Sequence, residues 1–356
     1  MSGPRIIFIL PVRGGSGGAH SVMQEVTALR DLSVDACIAV NERNVASFRS
    51  VYERFDWIEQ GVLSFVGPKD LSKITAGADL VIATTNTSAH TIAESLEGVR
   101  SPSFRVGYYV QDYEPLFYDA ASIEHTIAVG SFAVLKNCTY FAKTRWLCDI
   151  VQMAHAHDVA QVVPSIDHTI YKPGARASGG RRRLCAMVRP ETPRRAPRRT
   201  LDVLTRAAAG EFGPMDVLTF GVDAEELAHA GYALPDGVEL IGKLKQPQVA
   251  ELLQSCDFFL DLSDYQAFGR TAAEAMACGC ISLAPILGGA PEFIEDGVSS
   301  FLADTTSPDS VTSALQRMVS MSDAELRSVR FAGLEAVSGF TPVRAAVSEL
   351  RAWGFG

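Results

Sequence analysis

Gln266-Ala-Phe-Gly-Arg-Thr-Ala-Ala-Glu274-Ala-Met-Ala-Cys-Gly279, preceded by the apolar run Phe258-Phe259-Leu260-Asp261-Leu262, is the stretch that decides the fold of this chain. A continuous hydrophobic run reads as a parallel strand buried on both faces. The chain then turns at Gly269 into an alanine-rich helix, whose Ala272, Ala273, Ala275 and Ala277 let it lie close to a sheet. Strand, glycine turn and helix start in succession leave unpaired backbone N–H groups at the positive end of a helix dipole. Such a turn suits an anion such as a diphosphate. Phe268, Gly269, Arg270 and Thr271 form the turn. Glu274, about one turn into the helix, is placed to hydrogen-bond sugar hydroxyls beside the phosphates. The paired glycines Gly288 and Gly289 and the segment Pro291-Glu292-Phe293-Ile294 follow.

Outward from this unit, apolar strands alternate with helix-length amphipathic runs, the pattern of α/β folds with parallel sheets. In the first half, strands are expected at 6–11, 36–40, 80–83 and 106–111, with a glycine loop and a helix at about 20–30 after the first. In the second half they are expected at 184–188, 217–220, 238–241, 258–262 and 281–284. The segment Pro164 to Gly174 reads as a link, and Gly179-Gly180 marks the break between the series. A chain of 356 residues exceeds one compact core. Two domains are therefore expected, 1–168 and 169–340, with an amphipathic segment at about 341–356 at the end.

The composition, 47% hydrophobic and 21% charged, is that of a globular protein without an apolar run of membrane-spanning length. The apolar start, Ile6 to Leu10, is too short for a secretory signal. Seven cysteines without CxxC pairs point to reduced thiols and a cytoplasmic setting. Cys278 and Cys280 are too few for a metal site, and His90, His125, His155 and His168 lack ligand spacing, so no metal is expected. His155 and His157 read as a helix surface.

A net charge of -9 speaks against a nucleic-acid partner. One region runs the other way, with nine arginines between Arg176 and Arg199. Arg181 to Arg183, Arg198 and Arg199 read as a solvated basic stretch. Arg189 and Arg195 differ, because they flank a strand end and a proline-stiffened loop, where a fixed guanidinium grips phosphate oxygens bidentately.

Two further clusters lie in the first half. Arg13-Gly-Gly-Ser-Gly17-Gly18-Ala-His20 follows the first strand and opens a helix, as a backbone cradle does; the same run equally suits a tight turn. It does not fit G-x-G-x-x-G, which argues against a nicotinamide cofactor. Tyr108-Tyr-Val-Gln-Asp112-Tyr113-Glu114-Pro-Leu-Phe-Tyr118 sits at a strand end, where α/β ligand sites lie. Its rings, amide and carboxylates suit a sugar, with Tyr108 and Tyr109 open to a core role. Thr84 to Ser88 is a further candidate loop.

The run from Asp257 to Asp304 resembles the C-terminal domain of GT-B glycosyltransferases, and is most similar to the retaining glycosyltransferase family 4. The residues that carry the resemblance are Gln266, Phe268-Gly269, Glu274, Gly288-Gly289, Glu292-Phe293-Ile294 and Asp296-Gly297. The resemblance implies two Rossmann-like domains facing each other across a cleft. The first would hold the acceptor and the second the nucleotide-diphosphate sugar donor, with the C-terminal segment packed back on the first. By the same resemblance Arg189 and Arg195 match a basic pair that neutralises the donor diphosphate, with arginine at 195 where lysine is usual. Glu274 would hold the ribose, Gln266 the donor sugar, and Lys243 would lie in the base-binding loop. Gly17 and Gly18 would approach the donor phosphates.

In the aromatic segment Asp112 is the expected catalytic polar group, and Tyr113, Glu114 and Tyr118 the acceptor contacts. V-Q-D-Y-E-P resembles bacterial members acting on cell-envelope polysaccharides, including rhamnosyltransferases. The implied activity is metal-independent retaining transfer to a glycan or lipid-linked acceptor, which would bring a cytoplasmic protein to the inner membrane face. Gln266 departs from the pattern, where a glutamate is usual, because an amide cannot act as a carboxylate nucleophile. Asp264 is the nearest replacement, or it caps the strand end. Two other readings stay open: a non-catalytic nucleotide-sugar-binding partner, and a nucleotide-sugar epimerase of the same fold.

Overall fold

The computed structural model describes residues 3–174 and 180–355. Arg176 and Gly179, singled out above, and Gly356 at the end of the expected C-terminal segment lie outside the described residues. The chain divides into two compact units, one comprising residues up to Ser165 together with those from Phe340 onward, the other Ile166–Gly339.

The first unit holds β1 (Arg5–Ile9), β2 (Asp35–Asn41), β3 (Val62–Phe65), β4 (Leu80–Ala83), β5 (Arg105–Val110), β6 (Cys138–Ala142) and β7 (Val159–Gln161). They form one parallel sheet in the order β3-β2-β1-β4-β5-β6-β7. The second holds β8 (Arg182–Met187), β9 (Met215–Phe220), β10 (Val238–Gly242), β11 (Phe258–Leu260), β12 (Ile281–Pro285) and β13 (Phe301–Ala303), parallel in the order β10-β9-β8-β11-β12-β13. Both are Rossmann-like layers with helices between consecutive strands. In each, the order reverses beside the first strand, between β1 and β4 and between β8 and β11. Loops leaving the two strands there diverge and open a crevice at their carboxyl ends.

The apolar strands anticipated from sequence are all present. Ile6, Ile7, Phe8 and Ile9 of β1 and Phe258 of β11 are fully buried, as strands covered on both faces must be. Four further strands, β3, β6, β7 and β13, were not anticipated. Their three to five residues are too short to carry a period, and only pairing with a neighbour defines them. The first helix also differs from expectation, spanning Gly17–Asp31 because Ser16 caps it by accepting from Ala19 N at 3.2 Å. Gly17 and Gly18 are therefore its first turn rather than loop.

The C-terminal helix, Pro342–Ala352, starts at Thr341, which accepts from Arg344 N, and packs on the helix Gly17–Asp31. Trp353 closes the core of the first unit, 2% exposed, with its ring edge-on to Phe8 and Phe141 at centroid distances of 5.9 and 5.4 Å. No helix among the described residues is long and apolar enough to cross a membrane.

Candidate functional site

In the second unit, the loops leaving β8 and β11 meet at Asp261. Its backbone N–H still bonds Leu283 O at 2.9 Å, so the strand geometry aims the carboxylate at the carboxyl edge of the sheet. The side chain is 7% exposed and receives four donors. Oδ1 accepts from Ser263 N at 3.2 Å and Ser263 Oγ at 2.5 Å; Oδ2 accepts from Gln266 Nε2 at 2.6 Å and Thr271 Oγ1 at 3.0 Å. Arg195 Nη1 stands 3.9 Å from the same Oδ2. One buried carboxylate thus joins the arginine loop after β8 to the first turn of the helix Arg270–Ala277.

That helix begins at Gly269, whose φ of +91° is the left-handed region glycine tolerates, and no side chain caps it. A helix start of this kind, with no side-chain cap, turns backbone N–H groups of the sort that suit an anion toward the strand end. Arg189 is exposed at the strand end. Partial desolvation and the neighbouring Arg195 press its pKa down, while Asp261 and Glu274 oppose them. Two guanidiniums held close in this way are relieved when a dianion binds between them. Phe268 is buried against Phe293 at 5.4 Å, so it supplies backbone and shape rather than an open ring.

Gln266 is 6% exposed. Its backbone pairs with the glycine loop, donating to Leu287 O at 3.3 Å and accepting from Gly289 N at 2.8 Å. Gly288 sits at φ +113°, and a Cβ there would lie 2.0 Å from Gln266 O. The paired glycines therefore let one backbone approach another, and the Gly289 amide is used in doing so.

Glu274 is buried, with Arg270 Nη1 3.3 Å from its Oε1. Burial raises its pKa, opposed by Arg270, Tyr171 and Arg189. Lys243, expected in a base-binding loop, lies on the surface, 3.7 Å from Asp223 and paired with Glu226. Asp264 also has a partner. Arg199 Nη1 lies 3.0 Å from its Oδ1 and donates to Leu262 O at 2.8 Å, so Arg199 is a tie across the loop and not a solvated charge. Arg181 and Arg182 pair at the surface with Asp216 and Asp323.

In the first unit the glycine loop, Thr84 and the aromatic segment gather at the β1/β4 edge. Gly15 N donates to Tyr52 Oη at 3.1 Å, which also meets His20 Nδ1 at 3.0 Å, so the loop is tied and not a free turn. Gln111 packs on Gly18, where a Cβ would lie 2.9 Å from its Oε1, and donates to Thr84 O at 3.2 Å. Asp112 Oδ1 accepts from Tyr113 N at 2.9 Å. Glu114 Oε2 accepts from Asn86 N at 2.7 Å and from the Asn86 amide, binding the aromatic segment to the first turn of the helix Asn86–Ser95, where a loop was expected over 84–88.

Tyr113, expected on an acceptor, turns inward, 8% exposed, with Oη 3.0 Å from His155 Nε2. Tyr108 and Tyr109 fill core. Tyr118 stays on the surface, near the exposed Leu116. His155 and His157 do not form a helix surface. Their rings stack on Phe132 and Tyr140 at 4.1 and 4.3 Å, because the helix Arg145–His155 ends at a left-handed Ala156 that turns His157 back onto the sheet.

Sequence reasoning missed Asp261, Ser263 and Tyr171 as parts of these clusters. Only Asp261 left a signal, a charged residue ending an otherwise apolar strand. Among the described residues no group of three or more His, Cys, Asp or Glu is arranged to hold a metal ion.

The family profile described as glycosyl transferases group 1 matches residues 221–330, which contain Lys243 and the turn from Gln266 to Glu274. The O-antigen biosynthesis protein RfbC of Myxococcus xanthus is 29% identical over 218 residues, 60% of this chain and 16% of that protein. The N-acetyl-alpha-D-glucosaminyl L-malate synthase of Bacillus anthracis is 38% identical over 93 residues, 26% of this chain and 23% of that protein. The matches thus span less than a quarter of these two relatives' own length. The crystal structure of Anabaena HepE in complex with UDP and glucose is similar over 99% of both chains, with a TM-score of 0.77 at 15% identity, a likeness of fold. Residues 221–330 thus match the glycosyl transferases group 1 profile, in a chain whose two Rossmann-like units share the fold of GT-B structures.

Proposed function

We propose that the protein moves a hexosyl or deoxyhexosyl group from a nucleoside-diphosphate sugar to a glycan or lipid-linked acceptor of a cell-envelope polysaccharide, with retention and without a metal ion. The observation that carries this reading is the meeting of Arg195 with the uncapped helix start at Thr271 through Asp261, beside Arg189. Charge develops on the departing diphosphate, and fixed cations and amides aimed there stabilise the transition state. The two guanidiniums supply the positive charge that a metal ion provides elsewhere.

HepE was crystallised with UDP and glucose, which makes UDP-glucose the first donor to try, and RfbC is named for O-antigen biosynthesis, which points to an envelope glycan. In this reading the β8/β11 edge holds the donor, with Lys243 near the base and Glu274 at the ribose. Gly17, Gly18, Asp112, Glu114 and Tyr118 serve the acceptor side and the donor phosphates. Tyr113 acts by holding the segment in place.

Gln266 favours a second reading, a non-catalytic nucleotide-sugar-binding protein, because no free carboxylate stands at that position. Incubation with a panel of nucleotide sugars and envelope-glycan acceptors, with the product anomer read by NMR and EDTA added in parallel, separates the readings. Transfer with retention in EDTA supports the proposal. Tight donor binding without transfer or hydrolysis supports the binding protein, and isomerised donor an epimerase.

A further inference from the structure

We propose that Asp261 locks the Gln266 amide so that position 266 shows a bound sugar only one neutral hydrogen-bond acceptor, which makes this subsite selective for a neutral, hydroxyl-bearing sugar. The selectivity half rests on the nucleotide-sugar reading above; the lock itself does not.

A glutamine amide has two donors and one carbonyl acceptor. Gln266 Nε2 donates to Asp261 Oδ2 at 2.6 Å and to Ser263 Oγ at 3.0 Å, so both protons are used. Ser263 Oγ can accept because its own proton goes to Asp261 Oδ1 at 2.5 Å. The three side chains form a closed ring. Ser263 is in turn fixed from behind, its carbonyl accepting from Thr305 Oγ1 at 2.6 Å. The orientation of the amide is settled by its neighbour: Asp261 Oδ2 accepts from Thr271 as well, and a carbonyl turned toward it would set acceptor against acceptor. What Gln266 has left is Oε1, which bonds nothing among the described residues and is not sealed from solvent.

The ring explains why an amide stands at 266 in this chain. A glutamate there would put a second carboxylate in contact with Asp261, where two such groups hold one proton between them. Asp261 and Gln266 are thus one unit, with the negative charge on the inner member and a neutral acceptor toward the ligand. A sugar hydroxyl donates to that acceptor; a sugar carboxylate meets a carbonyl dipole with an acid behind it. Asp261 is a positioning residue, acting through Gln266 and holding Arg195 within attraction.

The test uses the full chain as wild type, Gln266→Glu, Asp261→Asn and the double variant. Thermal unfolding at about pH 5.5 and about pH 8.5, on either side of a shared carboxyl proton, reads the lock without a ligand. The single glutamate variant should melt near wild type at the lower pH and several degrees below it at the higher. The double variant should lose that pH dependence, since an asparagine amide donates to the new carboxylate. A deficit in Gln266→Glu that does not change with pH overturns the lock.

Calorimetry with UDP, UDP-glucose and UDP-glucuronate reads the selectivity. Wild type should bind UDP-glucose about tenfold tighter than UDP-glucuronate. Asp261→Asn should erode that ratio, both sugar nucleotides being measured in the same variant and each referred to its own UDP affinity. A wild type that binds both sugars equally, or an unchanged ratio in Asp261→Asn, overturns the selectivity. Failure of wild type to bind any of the three overturns the nucleotide-sugar reading instead, while the melting curves still judge the lock.

Discussion

Arg195 Nη1 stands 3.9 Å from Asp261 Oδ2, within electrostatic attraction but beyond a hydrogen bond, so its guanidinium is oriented while its donors stay free for a ligand. Arg199, four residues on, is committed to Asp264 and Leu262 O, and Arg198 points into solvent. Position relative to Asp261 separates the three, not charge.

Arg195→Ala should therefore weaken UDP binding by about 10- to 100-fold, the worth of a charge-assisted hydrogen bond or two. Arg198→Ala should stay within about twofold. Titration calorimetry at fixed salt reads both, and equal losses would remove Arg195 from the diphosphate site.

Asp112→Asn keeps a carbonyl oxygen able to accept from Tyr113 N, so the aromatic segment should hold its shape. UDP affinity should remain within about twofold while transfer falls by about 100-fold or more, the range of a lost acid–base group. A large loss of UDP affinity would move Asp112 to the donor side.

Gly288→Ala should be costly twice over. The left-handed φ alone costs roughly 1–3 kcal/mol for a residue with a side chain, and the new methyl would lie 2.0 Å from Gln266 O. Because Gly288 borders the Gln266 bridge, UDP-glucose binding should fall along with the melting temperature. Retention of both would mean that the loop moves apart without consequence.

The first unit carries a pH response of its own. Glu25 Oε1 accepts from Lys143 Nζ at 3.0 Å, Tyr109 Oη at 3.1 Å and Ser165 Oγ at 2.8 Å, while Glu25 Oε2 and both oxygens of Glu349 lack hydrogen-bond partners among the described residues. Burial, then the charge of Glu25, push the Glu349 carboxyl well above its usual range, so it stays protonated. The unfolded chain releases this proton near 4.5, whereas the folded chain keeps it. Folded protein thus binds more protons above that pH, and stability falls as pH rises toward the folded pKa. Glu349→Gln, which mimics the neutral acid, should gain in melting temperature over wild type as pH rises from about 5 to about 9. A difference that is constant with pH, or a gain on acidification, would show that Glu349 is ionised in the fold.

Sequence determined the α/β class, the two-unit organisation and the glycine turn that starts the helix Arg270–Ala277, because each is written in local chemistry. Buried parallel strands such as Ile6–Ile9 need continuous apolar runs, and Gly269 needs freedom at positive φ whatever surrounds it. The alternation of strand and helix then admits few topologies. Arg189 and Arg195 were legible for the same reason, as charges at a strand end and in a stiffened loop.

Tertiary structure alone decided which side chains spend their hydrogen bonds on one another. No spacing rule ties Glu114 to Asn86 or Tyr113 to His155, and the rings of His155 and His157 were found only where a left-handed Ala156 turns the chain. The short strands β3 and β13 exist by pairing. Gln266 is the sharpest case. Its sequence position suggested a lost carboxylate, and the fold places one, that of Asp261 five residues earlier, 2.6 Å from the amide. Hydrogen-bond capacity belongs to a residue type, but its use depends on what folding places within about 3 Å.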